Sequence, residues 1–161
     1  MDTPRFAVDR MLGRLAVWLR LLGFDTIYER QWSGSTLVRH AGLDGRVVLT
    51  RDRRLLRRRD DVAKVLVQSD QFRQQLRQVL LTLHVVHIPG LGSRCSRCNE
   101  PLARAERAAV RTRVPPYVFA THVHYVECLR CRRIYWPATH LAHMRSELQT
   151  IGIQIDPSRT G

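Results

Sequence analysis

The sequence predicts an α/β fold, a parallel sheet flanked by helices, followed by a small module closed around a metal ion. Two observations carry that expectation. Between Arg5 and Leu83, short apolar runs alternate with stretches whose apolar residues recur at helical spacing. Beyond them, the chain's four cysteines fall into two pairs with a two-residue gap, Cys95/Cys98 and Cys128/Cys131. The expected organisation is a first domain over residues 1–90, a metal module over 91–150 and a tail over 151–161.

The elements of the first domain follow in order. Arg5–Val8 reads as a strand ending at Asp9. A helix comes next, with Met11, Leu15, Trp18 and Leu22 on one face and Gly23 as its stop. Thr26–Tyr28 is a second strand. Ser33 or Ser35 caps a helix through Leu37, Val38 and Ala41. Arg46–Thr50 is a third strand ending at Arg51 and Asp52, and Arg53–Arg59 a short basic helix. Ala63–Val67 is a fourth strand ending at Ser69 and Asp70. Ser69 caps a helix that turns Phe72, Leu76, Val79 or Leu80, and Leu83 inward. Strand–helix alternation of this kind predicts a parallel sheet covered on both faces.

The cysteine spacing has a chemical meaning. A two-residue gap lets both sulfurs of a pair face one ion from a tight turn. Two such turns complete a tetrahedral thiolate set, which suits Zn²⁺ bound by Cys95, Cys98, Cys128 and Cys131. With no open position, that zinc is expected to be structural. The alternating segment His122–Glu127 predicts a strand entering the second turn, so the module reads as a zinc ribbon of cysteine turns and short strands. His122, His124, His140 and His143 are read as surface or RNA-facing residues, and Tyr135 and Trp136 as packing on the ribbon. Thr139 caps a last helix with Leu141, Met144 and Leu148 at helical spacing; the stretch from Gly152 to Gly161 has no clear pattern.

Charge narrows the function. Lys+Arg number 27 against 14 Asp+Glu, a net charge of +13, and Lys64 is the one lysine. Such a balance favours a polyanionic partner, nucleic acid first. No apolar run reaches the roughly 18 residues of a membrane helix, and the first residues lack a signal-peptide pattern. A cytoplasmic protein is expected.

In that basic chain the acids fall into a pattern. Asp9, Asp52 and Asp70 each follow a predicted strand, and in an open parallel sheet those strand ends share one edge, where ligand sites form. Converging carboxylates repel unless a cation sits among them. Their hard oxygens suit Mg²⁺ or Mn²⁺, which implies metal-assisted cleavage of a phosphodiester. Each acid also has a structural reading. Asp9 could cap the first helix, Asp70 could sit in the first turn of its own, and Asp52 could pair with the arginines around it. Asp60 and Asp61 look like a solvated turn, and Asp25 and Asp44 look like turn residues beside glycines.

Several of these residues carry a resemblance. Phe6–Ala16, followed by Trp18-Leu19-Arg20 and Leu22-Gly23, resembles the opening of the Mut-seven C-terminal RNase family. Arg46–Asp52 resembles its second block, Gln75-Leu76 a helix of the family, Ser93–Asn99 the start of its ribbon, and Cys128–Cys131 with Tyr135-Trp136 and Thr139-His140 its end. The match runs in order over about residues 5 to 148. It implies a PIN-like nuclease domain with a zinc ribbon, and an acidic cluster holding Mg²⁺ or Mn²⁺ to cut single-stranded RNA. Catalysis is carried onto Asp9 and Asp52 by motif, and onto Asp70 by position. Two departures stand out. Family members usually have a further acid near the start of the second helix, where this chain has Gln31–Leu37 without a carboxylate and Glu29 nearest. Pro137-Ala138 stands where a glycine is more usual.

Two functional classes fit. One is a ribonuclease, a hydrolase in which Asp9, Asp52 and Asp70 hold the metal and Thr50 hydrogen-bonds an acid or a phosphate oxygen. Arg10, Arg14, Arg51, Arg53, Arg54 and Arg57 would then bind RNA phosphates, since the guanidinium fork matches them. The other is a non-catalytic binder of structured RNA, transfer or ribosomal, on the ribosome itself or off it. The enzyme is the favoured reading.

Overall fold

The computed structural model describes residues 3–85, 87–136 and 139–153. Four short strands, β1 (Phe6–Val8), β2 (Thr26–Tyr28), β3 (Val47–Thr50) and β4 (Lys64–Leu66), form a sheet in the order β2-β1-β3-β4. Every pair is parallel. The chain runs outward from β1 to β2, then crosses back over β1 to β3. A topological switch point therefore lies between β1 and β3, at their C-terminal ends.

Helices cover the sheet on both sides, and the pleat sorts the side chains of its strands. Phe6, Val8 and Leu49 point into one core with Leu15 and Leu19 of α1 (Gly13–Leu21) and with Leu22 just past its end. Ala7 and Val48 point the other way, onto Leu37, Val38 and Ala41 of α2 (Gly34–Asp44) and Leu55 of α3 (Arg53–Leu56). Ser33, not Ser35, is the cap of α2, accepting from the Thr36 amide at 3.2 Å. The α3 helix is a single turn, shorter than the Arg53–Arg59 expected, because the arginine run brings only Leu55 to bury. Helix α4 (Phe72–Thr82) returns to the first core through Leu76, Val79 and Leu80. Its N-cap is Gln71, without a side-chain cap bond. Ser69 instead accepts from the Gln71 amide and donates to Gln74 Oε1.

Met11 is 63% exposed rather than on the buried face. Residues 10–12 form a 3-10 turn, whose tighter pitch shifts the phase of the helical pattern before α1 begins.

The second sheet is antiparallel, β5 (Ala103–Ala105), β6 (Tyr125–Glu127) and β7 (Ile134–Tyr135), in that order. Between β5 and β6 lie two helical turns, α5 (Arg107–Val110) and α6 (Pro116–Thr121), which close a small core of Val110, Val114, Val118 and Tyr125. The expected strand from His122 is confined to Tyr125–Glu127 because α6 runs up to Thr121. Pro116 sits at the first position of α6, where its missing amide costs nothing.

The last helix, α7 (Thr139–Thr150), was expected within the metal module. It packs instead on the first core: Met144 and Leu148 are fully buried there, with Ile151 just beyond the helix. Each such side chain contributes roughly 1.5–3 kcal/mol. Arg73 of α4 clamps the same helix with a two-pronged ion pair to Glu147. The departure expected at Pro137-Ala138 lies outside the described residues.

Candidate functional site

Two sites emerge, one at the switch point and one in the cysteine module. At the switch point, Asp9 leaves β1 with its amide donating to Leu49 O at 2.9 Å. The Thr50 side chain, fully buried at the end of β3, donates its hydroxyl to Asp9 Oδ2 at 2.6 Å. The same hydroxyl accepts from the Asp52 amide at 3.0 Å. One threonine thus ties the ends of β1 and β3 together, holding the carboxylate of Asp9 and the backbone of Asp52. No side-chain cap bond is made by Asp9, so its structural reading as a helix cap is not realised.

Asp52 does cap. Its Oδ1 accepts from the Arg54 amide at 2.9 Å and from Arg54 Nε at 3.2 Å. Those bonds, the backbone one first, hold its carboxyl below the ordinary aspartate range. Asp52 Oδ2 and Asp9 Oδ1 have no hydrogen-bond partner among the described residues. Asp70 is exposed, past the end of β4, and lines a groove of about 380 Å³ with Met11, Arg14, Phe72 and Gln75 among its walls. Among the described residues, the cysteines are the only group of three or more metal-binding side chains whose donor atoms share one small volume. The three aspartates border the same sheet edge without forming such a closed set.

The six arginines expected to meet RNA all follow β1 or β3. Arg10, Arg14, Arg53, Arg54 and Arg57 are exposed, and Arg51 is half-buried. Arg14 lies face-on over the Phe72 ring, 3.9 Å from its centroid. Arg54 is paired with Asp52. At the start of α2, where the resemblance leads one to expect an acid, the first turn has none and Ser33 occupies the cap.

The cysteine module is built from two matching turns. In each, the second cysteine's amide points at the first cysteine's sulfur: Cys98 N to Cys95 Sγ at 3.3 Å, and Cys131 N to Cys128 Sγ at 3.5 Å. The next residue, Asn99 or Arg132, takes a left-handed backbone at φ 67° or 62° and donates to the first cysteine's carbonyl. The four sulfurs lie within 4.8 Å of one another, with Cys95 and Cys131 3.7 Å apart. Tetrahedral zinc with bonds of about 2.3 Å requires sulfurs about 3.8 Å apart. The set is placed to hold one metal ion, and four thiolates suit structural zinc. Alone, the thiols resist ionising together. The Cys95 thiol falls to about 7 although burial opposes it, because Tyr135 and nearby amides hydrogen-bond its thiolate. Burial, with Cys131 and Cys95 beside it, pushes Cys98 up to about 12. A dication removes that conflict. Of the histidines, His122 is half-buried against Thr121 and Val118, His124 and His143 are exposed, and the His140 side chain lies outside the described residues.

Sequence reasoning missed the weld between the two halves. Arg20, on α1, is 6% exposed. Its Nε donates to Thr26 O at 2.9 Å, and its Nη1 to the carbonyls of Ser96 and Arg97, inside the first cysteine turn, at 3.1 and 2.9 Å. Burial pulls its pKa below that of a free arginine, against the nearby Cys95. Asn99 accepts from the Thr26 amide at 2.8 Å and donates to Asp25 Oδ1 at 2.7 Å. Asp25 is no simple turn residue, for it grips Arg46 with both oxygens at 2.7 and 3.1 Å. Arg94 reaches Gly23 O at 3.2 Å. A signal existed: Arg20 is a lone charge inside the apolar run Trp18–Leu22.

The family model described as the Mut7-C RNAse domain matches residues 4–148, nine-tenths of the chain. No curated protein and no solved structure matches it. No helix among the described residues is long and apolar enough to cross a membrane.

Proposed function

The chain belongs to the Mut7-C RNAse domain family, and from that premise we propose that it is a metal-dependent endoribonuclease acting on single-stranded RNA in the cytoplasm. The family gives the nuclease- or RNA-related role; the metal and the catalytic acids are our reading. The observation that carries it is the Thr50 hydroxyl, donating to Asp9 while it accepts from the Asp52 amide, at the switch point of the sheet.

The donor set suits a hard divalent cation. Asp9 Oδ1 and Asp52 Oδ2 are left unpaired among the described residues, and carboxylate oxygens with water are the ordinary ligands of Mg²⁺ or Mn²⁺. Asp9 and Asp52 would hold the ion, with Asp70 as the third acid from the end of β4. Such an ion, when bound, activates a water and stabilises charge on the leaving oxygen. The chain's own residues do the rest. Thr50 holds Asp9 in one orientation and leaves its other oxygen free. Arg54 keeps Asp52 ionised. Arg10, Arg14, Arg51, Arg53 and Arg57 supply positive charge along the edge where a phosphodiester backbone would lie. Affinity for RNA should therefore fall steeply as salt rises. Zinc, bound by the four cysteines, is structural in this reading.

The test is cleavage of single-stranded RNA with Mn²⁺ or Mg²⁺ by the wild type, by Asp9→Asn and by Asp52→Asn. Cleavage by the wild type and loss in both variants is expected. A second reading, a non-catalytic binder of transfer or ribosomal RNA or of the ribosome, is favoured by the acid-free start of α2, where Ser33 stands. Tight, salt-sensitive binding without cleavage of any RNA would establish that reading and sink the first.

A further inference from the structure

The groove bordered by Asp70 holds a polar group that the nuclease reading does not use. Gln75, in the first turn of α4, lines this groove and is only 5% exposed. Its Nε2 donates to Ser69 O at 2.9 Å. A carbonyl accepts only from the nitrogen end of an amide, so this bond fixes which way the side chain faces. Gln75 Oε1 has no donor among the described residues. It is not sealed in either, since no buried side-chain oxygen or nitrogen lacks a partner among them. An oriented acceptor that keeps some exposure thus belongs to a nearly buried residue of the groove wall.

The groove's other features restrict what can fill it. At about 380 Å³ it is near the lower end of the range of ligand pockets, about 300–1,000 Å³, and takes one nucleotide unit rather than several. Arg14 stands at its rim, laid over Phe72 and without an ion-pair partner among the described residues, available to a phosphate. Arg73, also on the rim, is committed to Glu147. The acceptors are Gln75 Oε1 and the Asp70 carboxylate. A phosphate has no proton to give them. A base edge presents acceptors beside its donors and would have to engage the second Gln75 N–H or the Gln71 amide as well as Gln75 Oε1, whereas a hydroxyl needs Oε1 alone. A ribose hydroxyl gives one proton to one acceptor and lies next to the phosphate in the chain. The 2′-hydroxyl is also the group by which a protein distinguishes RNA from DNA.

We propose that this groove is a ribose subsite, in which Gln75 Oε1 accepts from a 2′-hydroxyl of the bound strand while Arg14 holds the adjoining phosphate. Gln75 is then the residue that sets RNA over DNA. The inference rests on the nuclease reading only in taking RNA as the ligand.

The experiment is a binding series with the full chain, without added Mg²⁺ or Mn²⁺ so that no strand is consumed. Short single-stranded RNAs carry one 2′-deoxy or one 2′-fluoro sugar at each position in turn, and affinity is read by fluorescence anisotropy. One position should lose about three- to tenfold with either sugar, the effect of one neutral hydrogen bond. Fluorine keeps the ribose pucker and removes the donor, so an equal loss identifies the donor. In Gln75→Met that penalty disappears, and in Gln75→Glu, which keeps an acceptor, part of it remains. A merely structural role for Gln75 would weaken both strands alike and leave the ratio unchanged. Absence of a sensitive position in the wild type, or a penalty that survives in Gln75→Met, overturns the proposal even if RNA is cleaved. A Gln75-dependent penalty in a protein that cleaves nothing sustains the subsite and sinks only the nuclease reading.

Discussion

Replacing Arg20 by methionine should loosen the whole protein and release its zinc sooner. The side chain is nearly buried and gives three hydrogen bonds to carbonyls, one at the start of β2 and two in the first cysteine turn. A hydrogen bond from a charged donor contributes about 1.5–3 kcal/mol. Part of that sum is offset, because methionine also removes the cost of burying a guanidinium. The net loss is about 2–4 kcal/mol. For a chain of this size each kcal/mol moves Tm by about 2–4 °C, so a drop of about 5–15 °C is expected. Two readouts separate the weld from ordinary packing. Thermal unfolding by circular dichroism gives the stability, and a colorimetric zinc indicator gives the rate of metal release. Both should change, since the carbonyls of Ser96 and Arg97 lie between the paired ligands Cys95 and Cys98. A variant with lower Tm but unchanged zinc release would show that Arg20 only fills the core. A Tm within about 2 °C of the wild type would refute the reasoning altogether.

Other outcomes follow from the same geometry. Thr50→Val keeps the shape but removes the hydroxyl between Asp9 and the Asp52 amide. It should cost about 2–4 kcal/mol in chemical denaturation and abolish RNA cleavage if Asp9 must be oriented; full activity would refute that role. Asp25 has its pKa lowered by Arg46 and Asn99 against burial. Its folded value lies below its unfolded one, so its stabilisation is present above about pH 4 and lost as pH falls through the folded value. Asp25→Asn should lower stability by about 1–3 kcal/mol at neutral pH, and the Tm curves of variant and wild type should converge in acid; a gap that stays constant down to pH 2 would contradict this. Gly23 sits at φ +92°, and a Cβ there would meet the Gly90 backbone at 2.6 Å. Gly23→Ala should therefore lower Tm clearly, with expression and thermal melting as the check.

The strands were legible because residues buried on both faces leave continuous apolar runs, and Phe6–Val8 and Val47–Thr50 stand out at once. The positions of Asp9 and Asp52 followed from where those runs stop. Cysteine spacing alone foretold the metal site. What stayed hidden was tertiary. The stripe of Leu141, Met144 and Leu148 says that α7 buries a face but not against what, and proximity in sequence wrongly suggested the ribbon. The role of Asp25 was invisible because a bidentate partner 21 residues away leaves no local mark. Met11 was misplaced because a 3-10 turn and an α-helix share the same residue types and differ only in pitch.

The return of α7 changes what the zinc site means. The chain leaves the first core after α4, builds the cysteine module, and comes back to bury Met144 and Leu148 beside Leu15 and Leu19. The module is thus a closed excursion from one core rather than an appendage, and its first turn is bonded to Thr26 on both sides, through the Thr26 carbonyl by Arg20 and through its amide by Asn99. Thr26 pairs in register with Phe6, and Tyr28 with Val8, the residue before Asp9. The side chains of Arg20 and Asn99, and beyond them the β2–β1 ladder, therefore link the cysteine turn to the acid edge. A zinc ion held by the four cysteines would brace one end of that path, so its removal by a chelator is expected to speed amide hydrogen exchange in β1 and β2 as well as in the ribbon; exchange in those strands unchanged by the chelator would refute the link.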